Sequence, residues 1–311
     1  MKVFDISDRT LLSMQGPDAE DLLQRIATND LKKLQVGGSI QSILTNEKGR
    51  IVDLISIIRR GQSDLLLAGQ SSDPALVESW IKKFVIMEDV TVRRIVGFLH
   101  LLLFDDADQA GGALPWEPIR SLVQGGNDSF CFAEEWPGGT VGHLLGPGTA
   151  GTRIMEQLGA SGATEASTHE FELFRIRHCI PRSPNELSVN YNPLEAGLAG
   201  AVSFTKGCYV GQEVIARLDT YDKVQRRLVQ LDFDSAAIKL PATLRHSDSS
   251  VGLITSIEYD DAAGRQIGLG YVRAAILESG PDIVCVQEGS DEPVPVRMIP
   301  LQHFSSKFGQ T

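Results

Sequence analysis

The sequence is poor in cysteine and in long apolar runs, and each shortage excludes a class of protein. Its 311 residues include four cysteines, at positions 131, 179, 208 and 285, and no CxxC pair. This usage argues against a disulfide framework or a thiolate metal site. The longest apolar run, VGFLHLLLF, is much shorter than the roughly 20 residues that span a bilayer. With no apolar stretch near the amino terminus that could serve as a signal peptide, we expect a cytoplasmic protein without a membrane partner.

Positive charge is also low relative to negative charge, since 29 lysines and arginines face 40 aspartates and glutamates and the formal net charge is -11. A general nucleic-acid surface needs a field of lysine and arginine, so we expect no direct nucleic-acid partner. One segment differs from the rest, since the stretch from Lys206 to Arg227 has more basic than acidic residues. Its composition predicts a local anion site, although charges that pair among themselves on a solvated face would give the same count.

Length and pattern predict mixed α and β structure with more than one core. The chain is 42% hydrophobic and 22% charged, as in an average globular protein, and its length favours two or three cores. The sequence DPALVESWIKKFV predicts a helix that starts at Pro74 after an Asp73 N-cap. Its predicted buried stripe consists of Leu76, Trp80, Ile81 and Phe84. Beyond residue 224, short pieces such as RLVQLDF, VGLITSIEY and DIVCVQ predict a separate small β-barrel or sandwich.

The stretch SFTKGCYVGQEVIAR places a cysteine directly before a predicted helix. Gly207 and Gly211 bracket Cys208 and permit a tight loop, and QEVIARL has the apolar spacing of a helix. The thiol would then lie near Lys206 and the positive end of a helix, and both favour a thiolate. We therefore predict a reactive thiol. A small buried side chain in a glycine turn is the alternative.

The other cysteines and one histidine have simpler interpretations. Cys131, Cys179 and Cys285 lie among apolar neighbours and are predicted to be inert core residues. His178 follows Phe171 and Phe174 at helical spacing in the helix predicted from STHEFELFRIRHCIP. We interpret His178 as a packed residue and not as a catalyst.

The motif KGCYVGQE resembles the KGCYxGQE signature of the YgfZ-type folate-binding proteins, relatives of the glycine cleavage system T-protein. GPDA (Gly16 to Ala19) and TND (Thr28 to Asp30) are similar to stretches at the front of that family. FRIRHCIPRSPNE and NPLEAGLAGAVSF resemble its segment before the signature, and VGLITS with IGLGYV resembles the carboxy-terminal barrel. Only the region from about 100 to 165 has no matching motif.

This resemblance implies an α+β, GcvT-like fold. A folate-binding module of two lobes would occupy residues 1–223 and a small β-barrel residues 224–311, arranged in a ring around a central cavity. The implied cofactor is tetrahydrofolate, in mono- or polyglutamylated form, with the basic segment receiving its anionic tail. The predicted catalytic residues are Cys208 and Asp53. The predicted cofactor-binding residues are Lys206, Tyr209, Gln212, Glu213, Arg217 and Arg226.

The sequence departs from the T-protein pattern at two positions. T-protein aminomethyltransferases have a paired Asp-Asp and an acidic residue that meets the pterin. Here Asp53 is followed by Leu54, and Arg177 occupies the position of the acidic residue. A guanidinium cannot accept hydrogen bonds from pterin N–H groups as a carboxylate does. The departures therefore disfavour aminomethyl transfer.

Proteins with the KGCYxGQE signature are associated with assembling or maintaining iron-sulfur clusters in particular enzymes, including radical enzymes that modify tRNA. The resemblance thus implies a folate-binding protein whose partners are iron-sulfur client enzymes. One motif cysteine cannot hold a cluster alone, so any contact with a cluster would be transient or shared. Two alternatives stay open. One is a folate-dependent aminomethyltransferase or related one-carbon transferase with Asp53 as its acid, and the other is a ligand-free interaction module with a buried signature loop.

Overall fold

The computed structural model of the chain shows two compact units. The first unit comprises Met1–Ser42 and Leu54–Phe171, and the second comprises Ile43–Asp53 and Glu172–Thr311. The structure describes residues 1–105, 129–136, 139–221, 223–233, 238–279, 282–288 and 293–300.

The first ten strands of the described chain form two five-stranded sheets. The first sheet has the order β3-β4-β5-β2-β6 and the second has the order β10-β1-β7-β9-β8. The strands are β1 (Lys2–Asp5), β2 (Leu11–Gln15), β3 (Ser39–Thr45), β4 (Ile51–Gly61), β5 (Asp64–Gly69), β6 (Thr91–Arg94), β7 (Phe98–Phe104), β8 (Phe130–Trp136), β9 (Gly139–Pro147) and β10 (Thr164–Glu165). Isoleucine and valine are frequent in β4, as expected for a strand. The residues between β3 and β4, with the adjoining ends of both strands, belong to the second unit.

Three helices in the described part of the chain lie where the sequence analysis predicts them, in DPALVESWIKKFV, STHEFELFRIRHCIP and QEVIARL. The helices are α1 (Ala19–Ile26), α2 (Pro74–Lys82), α3 (Gly151–Ala160), α4 (Thr168–Arg177), α5 (Gln212–Thr220) and α6 (Ala274–Ser279), with short 3-10 turns at Leu31–Lys33, Gly148–Ala150 and Ala199–Ala201. None of the helices in the described part of the chain is long and apolar enough to cross a membrane.

Helix α2 confirms one prediction and corrects another. The Asp73 side chain accepts a hydrogen bond from the Leu76 backbone N–H at 3.0 Å, as predicted for an N-cap. Leu76 itself was placed wrongly, because its side chain is 51% exposed. The buried face consists of Val77, Trp80 and Ile81. Trp80 and Ile81 are buried as predicted, Val77 replaces Leu76 on the buried face, and Phe84 lies beyond the end of the helix and is half-buried.

The second unit contains a closed six-stranded barrel of order β11-β14-β13-β12-β15-β16, which confirms the predicted carboxy-terminal β-barrel. The strands are β11 (Arg226–Phe233), β12 (Ala242–His246), β13 (Ser249–Asp260), β14 (Arg265–Arg273), β15 (Ile283–Gln287) and β16 (Val294–Pro300). Its core includes Leu231, Phe233, Leu244 and Val272, all fully buried. Closure pairs the edge strands with each other and so removes the free edges of an open sheet.

Candidate functional site

The signature loop leads into helix α5 in the second unit and exposes its cysteine. Cys208 is exposed and not bonded to another cysteine, so the alternative of a buried thiol is wrong. Its neighbours are buried instead: Lys206 is 8% exposed and Tyr209 is 7% exposed. The Lys206 ammonium lies 5.4 Å from the centre of the Tyr209 ring, a cation–π contact. Burial raises the pKa of Tyr209 to about 12, and the phenol is therefore neutral at pH 7.

Two glycines fix the loop against the turn formed by residues 45–50. Gly211 has a φ of +81°, and a Cβ at this position would lie 2.7 Å from the Asn46 carbonyl oxygen. Gly49 has a φ of +65°, and a Cβ there would lie 3.2 Å from the Val214 side chain. The Thr45 hydroxyl donates a hydrogen bond to the Val210 carbonyl at 2.7 Å. Only glycine suits both the conformation and the space at these two positions.

The turn is itself closed by local hydrogen bonds. The Asn46 side-chain oxygen accepts from the backbone N–H of Lys48 at 3.0 Å and from that of Arg50 at 3.1 Å. The Gly49 N–H donates to the Asn46 carbonyl at 2.8 Å. Asn46 therefore gives the signature loop a rigid surface to pack against.

Helix α5 carries the remaining signature residues. The Gln212 N–H donates to the Tyr209 carbonyl at 3.2 Å, and Glu213 occupies the first turn, as predicted from its interaction with the helix dipole. Arg217 is exposed in the last turn. Lys223, just beyond the helix, is also exposed, and its ammonium lies 5.5 Å from the centre of the Tyr221 ring. Arg217 and Lys223 are thus cations that solvent can reach.

Glu195 organises a second part of the site and was missed by the sequence analysis. Its carboxylate is 3% exposed and accepts from Arg226 Nε at 3.2 Å and from an Arg50 Nη at 3.0 Å. It also accepts from the Asn192 backbone N–H at 3.1 Å. Arg226 is therefore held by an internal ion pair. The sequence feature that could have indicated Glu195 is the presence of an acidic residue inside the largely apolar segment NPLEAGL.

A stacked tyrosine pair lies beside this ion pair. The rings of Tyr191 and Tyr271 stack with centres 3.6 Å apart, and the Arg226 guanidinium lies 5.2 Å from the Tyr191 ring centre. The Tyr271 hydroxyl donates to the Glu186 carbonyl at 2.8 Å. Burial raises the pKa of both tyrosines. The two rings are 4% and 0% exposed, so the pair is a neutral, buried aromatic contact beside a cation.

The predicted catalytic Asp53 and the residue Arg177, at which we expect a departure from the T-protein pattern, are both largely shielded from solvent. Asp53 is 1% exposed. Arg177 donates to Asp260 at two points, at 2.8 Å and 3.2 Å. Burial acts to raise the pKa of Asp260, but the hydrogen bonds from Arg177 lower it below its usual value. The Arg177 guanidinium is thus committed to a salt bridge with strand β13.

The cysteines other than Cys208 are less accessible. Cys285 is 1% exposed, as predicted for a core residue, and burial raises its pKa to about 11. Cys179 and Cys131 are half-buried, and burial raises the pKa of Cys179 to about 12. Cys179 also has a φ of +55° at the end of α4, where the Ile180 N–H bonds to the Arg175 carbonyl at 2.7 Å in the usual pattern of a left-handed helix end.

All the predicted site residues belong to the second unit. Lys206 and Tyr209 are in contact, whereas Arg226 belongs to the Glu195 cluster. Asp53 lies at the other end of the 43–53 segment from Thr45, the residue that bonds to the signature loop.

Comparisons with known proteins agree with this architecture. Residues 1–102 match the family model described as the GCVT N-terminal domain. An aminomethyltransferase of Synechococcus strain RCC307 is 26% identical over 94% of this chain and 85% of its own length. A chloroplastic protein of Arabidopsis thaliana, named provisionally as a transferase, is 26% identical over 97% of this chain and 72% of its own length.

A solved structure shows the same fold. The glycine cleavage system aminomethyltransferase T from Bartonella henselae superimposes with a TM-score of 0.81, covering 96% of this chain and 85% of its own, at 20% identity. The predicted GcvT-like fold class is confirmed, and the similarity of sequence to aminomethyltransferases extends over most of the chain.

Proposed function

We propose that this chain is a cytoplasmic folate-binding protein that acts in the assembly or maintenance of iron-sulfur clusters in client enzymes, among them radical enzymes that modify tRNA. The observation that carries the proposal is the exposed Cys208 on a loop locked in place by Gly211 and the turn 45–50. A thiol that is accessible and held in one conformation can meet a partner at low entropic cost. Similarity to aminomethyltransferases supports the folate part of the proposal.

The second unit offers the kinds of group that tetrahydrofolate requires. A pterin needs a flat apolar wall and polar edge contacts, and its tail needs cations. The stacked Tyr191 and Tyr271 rings are only 4% and 0% exposed, so in this proposal they support the site from the interior, with Arg226 beside them. Asp53, Gln212 and Glu213 are the candidates for polar contacts. Lys206 is buried beneath Tyr209, so in this proposal it orients the Tyr209 ring.

The exposed cations Arg217 and Lys223 are the proposed site for the glutamate tail. Charge attraction at an exposed surface weakens as salt shortens the Debye length to about 8 Å at physiological ionic strength. Tetrahydrofolate triglutamate should therefore bind more tightly than the monoglutamate at low salt, and the difference should shrink as salt is added.

Titration calorimetry with the two folate forms tests this part of the proposal. The double variant Arg217→Ala/Lys223→Ala should lose the preference for triglutamate, by about 2- to 30-fold if each cation contributes as an exposed ion pair does. The matched control Arg153→Ala/Lys239→Ala removes the same charge from exposed positions elsewhere and should keep the preference. Equal affinity for both forms would remove the tail site, and absence of binding for both would overturn the folate assignment.

The iron-sulfur part of the proposal has its own test. In cells that depend on this protein, Cys208→Ser should lower the level of tRNA nucleosides made by radical iron-sulfur enzymes. Cys131→Ser replaces a half-buried thiol and should leave them unchanged. Normal nucleoside levels with Cys208→Ser, at equal protein abundance, would show that the thiol has no such role.

The second candidate function is a folate-dependent aminomethyltransferase or related one-carbon transferase, favoured by the names of the relatives and by the acidic Asp53. Reconstituting glycine cleavage with this chain in place of T-protein separates the two. We expect background turnover, because Leu54 and Arg177 replace acidic groups. Turnover close to that of a T-protein would make Asp53 a catalytic residue.

A further inference from the structure

The first unit contains a buried chain of titratable side chains that the proposed function does not use. Glu134, His143 and His100 are 5%, 2% and 3% exposed. His143 Nε2 lies 3.4 Å from a Glu134 carboxylate oxygen, and His143 Nδ1 lies 2.9 Å from His100 Nε2. Among the described residues, His100 Nδ1 has no hydrogen-bond partner, and His143 Nε2 makes only the longer ion-pair contact with Glu134. Burying a carboxylate and two imidazoles costs free energy unless the groups satisfy one another by sharing protons.

The chain of side chains crosses three neighbouring strands and continues to the other sheet. In the register of the second sheet, His143 on β9 pairs with Leu102 on β7 and with Phe132 on β8. His100 and Glu134 are each two residues away from those partners, so all three polar groups share one face. The Glu134 carboxylate also accepts a hydrogen bond from Ser56 on β4 of the first sheet. The series therefore joins the two sheets of this unit.

The packing around these groups is tight. The Phe132 ring stacks on the His143 ring with centres 4.5 Å apart, and Trp136 Nε1 donates to Glu134 at 3.1 Å. Phe132 and Leu145 of the second sheet share an apolar cluster with Ile58 and Leu66 of the first. Because these groups are buried beside an apolar cluster, a change in their charge has a large effect on the free energy of the contact.

The hydrogen bond between His143 and His100 limits where protons can sit on the two rings. When His143 is an imidazolium, its Nε2–H faces Glu134 and its Nδ1–H donates to His100 Nε2. Neutral His100 then carries its own proton on Nδ1. A second proton on His100 has to occupy Nε2, the atom that accepts the hydrogen bond from His143. The second proton therefore breaks that hydrogen bond and leaves two imidazolium ions side by side.

The charges around His100 oppose a second proton as well. They are His143 on β9, when it carries a proton, and Arg9 in the segment between β1 and β2, whereas the Glu134 carboxylate behind His143 on β8 attracts a proton. Burial, followed by the charges of His143 and Arg9, lowers the pKa of His100 well below its usual 6.5. Burial acts to raise the pKa of Glu134, but His143, Ser56 and Trp136 lower it. The geometry therefore has room for one proton beyond the two neutral imidazoles, balanced by the Glu134 carboxylate, and not for a second.

We propose that Glu134, His143 and His100 form a proton-linked latch between the two sheets of the first unit, closed with one shared proton and opened by a second. Opening lets both imidazolium ions reach water, which removes the cost of burying them together. A His whose pKa is lowered by folding binds its proton only when the structure opens, so acid favours the open state. The latch gives the first unit a response to acidification that is independent of any ligand.

Hydrogen exchange of the full chain at pH 7 and pH 5, corrected for the intrinsic effect of pH, tests the latch. Amides of β7, β8 and β9 should exchange at least about 10-fold faster at pH 5, while the barrel strands of the second unit keep their protection. His100→Gln supplies an oxygen that accepts from His143 but binds no proton in this range, so it should abolish the acceleration. The control His246→Gln, on β12 of the barrel, should behave like the unaltered protein.

Nitrogen NMR of the histidine rings in the unaltered protein gives a test that needs no variant. His100 should stay neutral in the closed form and acquire its proton only together with strand opening. If His100 titrates near pH 6.5 while β7 and β9 stay protected, the latch is ruled out. Equal protection at both pH values, or equal acceleration in His100→Gln, rules it out too.

Discussion

Arg177 and Asp260 form a two-point salt bridge between the last turn of helix α4 and strand β13, with contacts of 2.8 Å and 3.2 Å. The side chains are 25% and 10% exposed, so the pair is largely shielded from solvent. A fork of two parallel hydrogen bonds fixes the orientation of the guanidinium as well as its position. Arg177, which the sequence analysis expects at the position of the T-protein carboxylate, therefore has a structural partner of its own.

Replacing Arg177 by glutamate restores the T-protein residue type but should weaken the fold. The variant loses both charged hydrogen bonds and places a second carboxylate against Asp260. We expect the free energy of unfolding to fall by roughly 1.5–3 kcal/mol, measured by urea denaturation. Arg153→Glu, a change at an exposed position of α3, should cost no more than about 0.5 kcal/mol. Equal losses for the two variants would show that the salt bridge contributes nothing specific.

The salt bridge between Arg177 and Asp260 should also make the free energy of unfolding depend on pH. Folding lowers the pKa of Asp260 below its usual 3.8, so its contribution is present above about pH 3.8 and is lost as the pH falls through the folded-state value. Thermal melting from pH 7 to pH 2.5 should show a gap between the unaltered protein and Asp260→Asn that narrows in acid. Asp248→Asn, at an exposed position, should melt in parallel with the unaltered protein. A gap that does not change with pH contradicts the prediction.

Two glycines of the signature loop should respond very differently to alanine. At Gly211 the φ is +81° and a Cβ would overlap the Asn46 carbonyl. Left-handed backbone alone costs about 1–2 kcal/mol for a non-glycine residue, and the overlap adds to it. At Gly207 a Cβ would meet nothing within 4 Å, so Gly207→Ala should change stability by no more than about 0.5 kcal/mol. Chemical denaturation measures the free energy of unfolding of the two variants. Similar losses for both would mean that the turn 45–50 does not hold the loop in place.

The four thiols should differ in their reaction with a small alkylating agent. Cys208 should react first because it is exposed, and Cys179 and Cys285 last because burial raises the pKa of each and leaves little thiolate at pH 7. A peptide-resolved time course by mass spectrometry measures the order, and the urea-unfolded protein is the control in which all four should react alike. Cys208→Ser should cost at most about 1–2 kcal/mol of stability. If Cys208 reacts no faster than Cys285, the loop does not present a reactive thiol and the prediction is wrong.

Local features of this chain could be predicted from its sequence, whereas the partners of its buried charges could not. The Asp73 cap and the helix after Gly211 depend on neighbouring residues, and both predictions are confirmed. Arg177 and Asp260 are 83 residues apart, and Arg50 reaches Glu195 across 145 residues. Such pairings depend on topology, because periodicity does not specify which charge a buried arginine will meet.

The placement of the 43–53 segment has a consequence for how the chain is made. Thr45 bonds to Val210, 165 residues later, and the intervening chain includes most of the first unit. At about 5–20 residues per second of synthesis, the ribosome delivers Val210 on the order of ten to thirty seconds after Thr45. During that interval the turn 45–50 has no signature loop to pack on. The second unit can therefore be completed only after synthesis has passed residue 210, and a fragment that begins at residue 172 lacks a necessary piece of it.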